Sequence, residues 1–209
     1  MNYYQEITLI DQGDVNLYHV HSVVYESIHT ALCEHRNGFK VNIGISFPLY
    51  QYTEKKDKGQ LGKKVRLFAK TKEELELLNL SVALDGYADY IHIASVKEVG
   101  EKATHYEVYS RYRHKGHQKK AERLQAHLIK KHGVEWFDEQ FGSYEAVLAH
   151  CVKTSTVLSL PFVTLKSNAN GHYYDLRLKR QKLDAPTKAF SFDGFGLTSK
   201  EKLSAVPAW

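Results

Sequence analysis

The chain has 209 residues, 43% of them hydrophobic, and a formal net charge of +5 with 12 histidines uncounted. This length fits one large domain or two small ones, and the apolar fraction excludes a disordered polyelectrolyte. The basic surplus points to a polyanionic partner, nucleic acid before membrane, while the lack of an 18-residue apolar run or a signal-peptide pattern points to a soluble cytoplasmic protein whose Cys33 and Cys151 are reduced thiols.

Residues 3–10 alternate apolar and polar and predict a strand. From residue 17 to about 36 the pattern becomes helical, with Leu17, Val20, Val24, Ile28, Ala31 and Leu32 on one face and Asn37-Gly38 as the stop. A second strand follows over 39–47, closed by Pro48, then a polar loop over 50–63 and a third strand over 65–70. Thr71 with Glu74 forms a capping-box pattern that opens a short helix to residue 78, and a fourth strand covers 90–96. The order β-α-β-β-α-β within 96 residues predicts an α+β protein with an N-terminal ferredoxin-like, RRM-like domain over 1–96. That fold serves RNA-binding modules and unrelated enzymes alike.

The remainder, 97–209, does not repeat this order and reads as a second, α/β domain. A strand over 105–113 puts His105, Glu107, Tyr109, Arg111 and Arg113 on one side. Gly116 breaks it, and a helix follows over 117–132. Ala121, Leu124 and Leu128 lie on one side of that helix, with Lys119, Lys120, Arg123, His127, Lys130 and Lys131 opposite. Another helix covers 143–152. Two apolar runs, 160–165 and 173–178, then form a hairpin around Ser-Asn-Ala-Asn-Gly-His, and the second run leads into Arg177, Lys179 and Arg180.

Three features carry chemistry. The cationic helix face has Glu122 as the single carboxylate between Val108 and Val134, so its charges repel unless an anion compensates them. From residue 119 to 131 it spans roughly 18 Å at ~1.5 Å per residue, the reach of several phosphates along a duplex groove. A solvated surface is the plain alternative. His29 stands at the edge of the first helix's apolar face. It reads as a satisfied boundary residue, as a general acid or base, or, with Cys33 at i, i+4, as a metal ligand whose site no further Cys/His pair completes. Ser167 reads as a turn hydroxyl. It has no Gly-x-Ser-x-Gly elbow, so beside a basic face it suits phosphate or ribose chemistry better than acyl transfer.

The motifs "IGISFP" after the first helix, "SRYR" before the basic helix, "LPFVTLKS" followed by Gly-His-aromatic, and "FGLTSK" near the C-terminus occur dispersed and in this order. Together they resemble the type I-F CRISPR-associated repeat-processing endoribonucleases. The resemblance implies a ferredoxin-like domain, a second domain with an arginine-rich helix, and cleavage at the 3′ base of a CRISPR repeat stem-loop. It further implies no cofactor or metal, retention of the hairpin product, and other subunits of a surveillance complex as partners of a chain that is monomeric when alone. It places the catalytic histidine at His29 in "YESIHTAL", the serine at Ser167, and the aromatic beneath the last base pair at Tyr174. It places base readers at Arg111 and Arg113, and phosphate contacts at Arg123, His127, Lys130 and Lys131. Lys119, Lys120 and Arg177 extend that RNA-binding set, and Phe195 joins it where the family pattern has a tyrosine. Arg113 replaces a glutamine, and His127, Lys130 and Lys131 replace arginines, so both the base pair read and the phosphate clamp are expected to differ from the family pattern.

Overall fold

The computed structural model describes residues 1–35, 41–113, 116–154, 158–167, 169–199 and 202–209. In chain order the elements are β1 (Tyr3–Leu9), α1 (Leu17–Glu34), β2 (Gly44–Ser46), β3 (Gln51–Thr53), β4 (Lys58–Gln60), β5 (Lys64–Ala69), α2 (Lys72–Glu76), α3 (Leu80–Ala83), β6 (Ile91–Ile93) and β7 (Lys97–Glu98). They continue as β8 (His105–Tyr112), α4 (His117–His132), α5 (Val134–Gln140), α6 (Tyr144–Thr154), β9 (Phe162–Lys166), β10 (Tyr173–Leu183) and β11 (Val206–Ala208). The protein is therefore mixed α+β. Every strand pairing among these elements is antiparallel.

The chain divides into two compact units, Met1–Tyr112 with Ser159–Trp209, and Arg113–Leu158. The expected boundary after residue 96 falls inside the larger unit. The reason is packing: Tyr109, Val163, Leu165, Leu176 and Leu178 share one buried cluster with Ile7, Leu9, Val24, Ile28, Val65 and Leu67.

In the larger unit one sheet has the order β2-β5-β1-β6, with β7 also on β1, and a second has the order β11-β8-β10-β9. The apolar face read from the sequence seats α1, with Val20, Val24, Tyr25, Ile28, Ala31 and Leu32 buried. Each fully buried Val, Ile or Leu among them contributes about 1.5–3 kcal/mol. Ser22 accepts the amide of Thr164 at 3.1 Å, fastening α1 to β9. The capping box forms as expected: Thr71 Oγ1 accepts Glu74 N at 3.3 Å and Glu74 Oε2 accepts Thr71 N at 3.2 Å.

The smaller unit has its own core. Ala121, Phe137, Val147 and Cys151 are buried, with Leu124, Leu128, Trp136 and Leu148 packed against them. The unit uses the expected 117–132 helix at its expected bounds.

Four expectations change. The 50–63 loop contains the β3–β4 hairpin, because Asp57 accepts from Tyr52 Oη at 2.8 Å and from Ser159 N and Oγ at 2.8 and 2.7 Å. The strand over 39–47 is reduced to β2, with Val41 bridged to Phe192; residues 39 and 40, and the helix end at 36–38, lie outside the described residues. The strand over 90–96 is confined to β6. Finally, α5 and β11 are additions. Gly133, at φ 92°, separates α5 from α4 by a single residue.

Among the described residues no helix is long and apolar enough to cross a membrane.

Candidate functional site

His29 is half-buried on α1, and its Nδ1 lies 2.6 Å from the carbonyl oxygen of Gly194. A carbonyl oxygen only accepts, so Nδ1 carries the hydrogen and the lone pair of the neutral ring is on Nε2. The ring stacks face to face on Phe195, with centroids 4.0 Å apart and planes 6° from parallel. Cys33, one turn on, places its Sγ 3.6 Å from Nδ1 and 3.9 Å from Nε2.

A tight turn, residues 193–197, supplies these contacts. Asp193 N donates to Leu197 O and Gly196 N donates to Asp193 O, each at 2.9 Å. One carboxylate oxygen, Asp193 Oδ1, accepts the amides of Phe195 at 2.9 Å and Leu197 at 3.0 Å. The Tyr25 hydroxyl donates to Phe195 O at 2.8 Å. Burial pushes the Asp193 carboxyl up; the two amides and the nearby His29 and Arg111 pull the other way. Gly196 is required at its position: its φ is 69°, and a Cβ there would lie 2.6 Å from Ile45 Cγ1.

Arg111, from β8, adds a cation to this cluster. Its guanidinium carbon is 5.3 Å from the Tyr174 ring and 5.8 Å from the Phe195 ring. Tyr174, from β10, is half-buried, and burial raises its hydroxyl pKa. His29, Phe195, Arg111 and Tyr174, widely separated in sequence, thus share one neighbourhood. Ser167 sits in the β9–β10 turn, where its amide donates to His172 O at 2.9 Å and its carbonyl accepts from Gly171 N at 2.8 Å. Among the described residues no hydrogen bond ties it to His29, and Asn168 beside it lies outside them.

Three of the four basic residues of β10 differ in setting. Arg177 is half-buried, with Nη2 3.3 Å from Asp175 Oδ2 and Cζ 5.7 Å from the Phe162 ring. Lys179 is exposed. Arg180 is committed to buried Glu107 at 3.1 Å and lies over the Tyr50 ring.

In the smaller unit, α4 buries Ala121 and exposes Lys119, Arg123, His127, Lys130 and Lys131; Lys120 is half-buried, and Arg113 is exposed just before the helix. Among the described residues Lys119, Arg123, Lys130 and Lys131 form no ion pair. Also among them, no three His, Cys, Asp or Glu side chains gather as metal ligands would.

Reading the sequence alone overlooks Asp193, Gly194 and Tyr25. Asp-Gly in "FDGFG" is a visible turn signal, but nothing local says that the turn closes on a histidine 165 positions away.

The sequence model of the family described as CRISPR-associated protein (Cas_Csy4) matches residues 4–209. A curated relative from Pseudomonas aeruginosa (strain UCBPP-PA14), named CRISPR-associated endonuclease Cas6/Csy4, is 25% identical over 198 residues, covering 95% of this chain and 96% of its own.

Proposed function

This chain belongs to the CRISPR-associated Cas_Csy4 family, and on that premise we propose that it is an endoribonuclease that binds the stem-loop of a CRISPR repeat transcript and cuts at the 3′ base of the stem. His29 is the general base. Its Nδ1–H is taken by Gly194 O, which leaves Nε2 to accept the proton of the ribose 2′-hydroxyl. The 2′-oxygen bonds to the adjacent phosphorus as the bond to the 5′-oxygen breaks. The products are a 2′,3′-cyclic phosphate and, once that oxygen takes up a proton, a 5′-hydroxyl. The nucleophile belongs to the RNA and His29 takes its proton, so this route calls on no metal ion or other cofactor. Holding it in line supplies a large part of the acceleration, and Ser167 does so by holding the ribose hydroxyl.

The binding residues divide by task. Tyr174, under the Arg111 guanidinium, supports the terminal base pair, and Arg111 reads a guanine there through its planar fork, with Arg113 reading a neighbouring pair. Lys119, Lys120, Arg123, His127, Lys130 and Lys131 follow the phosphates, and Arg177 adds a contact beside the hairpin. Phe195 contributes its ring and no hydroxyl. Residues 1–96 read as a ferredoxin-like, RRM-like domain carrying the base, supported by the order β2-β5-β1-β6 with α1 and α2 in its connections. Residues 97–209 read as the RNA-hairpin domain, of which Arg113–Leu158 is compact by itself while the rest shares a core with residues 1–96. The chain acts in the cytoplasm, is a monomer alone, and keeps the product within a surveillance complex.

The observation that carries this reading is the His29 ring held on both a face and an edge with Nε2 left as acceptor. The test is incubation of a labelled repeat hairpin with the protein in EDTA, followed by end analysis. One cut at the stem base with a cyclic phosphate is expected. Tight binding without any cut would reduce the protein to a stem-loop-binding protein.

A further inference from the structure

We propose that Asp193 is the positioning residue of the reaction, fixing the tautomer and orientation of His29 through the 193–197 turn. The inference rests on the reading of His29 as general base. Asp193 does not touch His29 by hydrogen bond; it acts through what it holds. Its Oδ1 gathers the amides of Phe195 and Leu197, at 2.9 and 3.0 Å, into one acceptor. That closes the turn so that two consecutive residues meet the imidazole from different directions. Gly194 presents its carbonyl to Nδ1 at 2.6 Å, and Phe195 lays its ring 4.0 Å beneath the imidazole. Tyr25, one helical turn before His29, pins the same turn from the helix side through Phe195 O.

The turn cannot drift without consequence. Gly194 is packed so closely that a Cβ there would stand 3.1 Å from Cys33 Sγ and 3.7 Å from His29 Cε1. A neutral imidazole can carry its hydrogen on either nitrogen, and a base needs it on the nitrogen facing away from the substrate. A helix-borne histidine at the edge of an apolar face has no local feature that selects one form. Here the selection is made by a backbone carbonyl, and the carbonyl is aimed by a carboxylate. This also explains how the site works with phenylalanine at 195. Phe195 contributes a flat surface and a backbone oxygen, and the polar contact to the imidazole comes from the residue before it.

Three variants and two readouts decide the matter. Asp193→Ala removes the shared acceptor. Single-turnover cleavage of the repeat hairpin should fall about 10- to 100-fold, the scale of a small misplacement of a reacting group, while equilibrium binding of the same hairpin stays near wild type. Asp193→Asn keeps an amide oxygen where Oδ1 stands and should restore most of the rate. Long-range proton–nitrogen NMR correlations of the histidine ring should show the Nδ1–H form of His29 in wild type and the Asn variant, and a mixture of forms in the Ala variant. If Asp193→Ala does not fold, Asp193→Ser, too short to serve both amides, takes its place with the same expectations. Wild-type rate and an unchanged tautomer in the Ala or Ser variant would overturn the proposal, as would an Asn variant as slow as Ala. The reading of His29 as base fails separately, if His29→Ala cuts at the wild-type rate. In that case the tautomer measurement tells only whether Asp193 orients His29, and its part in the reaction falls with that of His29.

Discussion

Two helices of this protein carry the residues expected to meet RNA, and they are built on opposite terms. On α1, His29 is approached by a carbonyl at 2.6 Å, a parallel ring at 4.0 Å and a thiol at 3.6 Å. On α4, Lys119, Arg123, Lys130 and Lys131 stand in solvent without an ion pair among the described residues. The first arrangement suits chemistry, where one atom must face one way. The second suits recognition of phosphates, where long side chains adjust to a polyanion and charge density matters more than direction. An enzyme that both grips and cuts one RNA needs both, and here they lie in different units of the chain.

The largest expected effect tests the α1 side. His29→Ala should lower single-turnover cleavage by ~10²–10⁴-fold, the range for losing a general acid or base. Hairpin affinity and thermal stability should stay near wild type, because the seam of Val20, Val24, Ile28 and Leu32 is untouched. Joint loss of binding and stability would make His29 a structural residue and erase the contrast.

The second test stays on α1. His21 is buried against Phe47, and burial holds its pKa down to about 4 from an ordinary 6.5. The unfolded chain therefore takes up a proton at His21 at a higher pH than the folded protein does. This contribution favours the fold fully above pH 6.5 and fades as pH falls toward 4. The loss should approach about 3 kcal/mol, from 1.36 kcal/mol per unit. Denaturant titrations across that window measure it, and His21→Phe should flatten the dependence.

The α4 side predicts a different signature. Replacing Arg123, Lys130 and Lys131 with Ala should weaken hairpin binding uniformly and reduce the slope of log K against log salt by roughly two to three, at about 0.9 per phosphate contact. An unchanged slope would return this face to solvated surface. Arg111→Ala, inside the His29 cluster, should instead relax discrimination at one base pair by about 1–3 kcal/mol, measured on repeat hairpins altered at the stem base. The smallest expected effect is none: a chelator should leave the cleavage rate unchanged. Abolition by EDTA with rescue by Mg²⁺ would break the mechanism on the α1 side alone.

How much of this was legible beforehand follows from how local each feature is. The α4 bounds came out at 117–132 because the helix is bracketed by Gly116 and Gly133. The α1 face was readable from periodicity, and so was the place of His29 at its edge. The β3–β4 hairpin was not, because its charged residues show no alternation and it is stabilised by Asp57 meeting Ser159, 102 positions away. The shortened β2 has a similar cause: the chain lies against Phe192 and Val206 so closely that a Cβ on Gly44 would stand 2.6 Å from each. At the site, residue types pointed to His29 and Arg111, the family resemblance added Tyr174 and Phe195, and the four lie in one neighbourhood. The Gly194 carbonyl beside the imidazole could not be read, because a backbone oxygen has no signature in the sequence, and the Asp193 turn signal does not say which residue the turn will meet.

The smaller unit is one uninterrupted stretch, Arg113–Leu158, entered after β8 and left before β9, with a core of its own. Such a stretch is a natural cooperative foldon, able to open and reclose while the hydrogen bonds of the sheets stay formed. Amide exchange in native conditions should then report two free energies of opening, a smaller one over α4 to α6 and a larger one over β1 and β5. On warming, grip should fail before the alignment of the cutting residues does, so the protein would release its hairpin while the chemistry around His29 is still assembled.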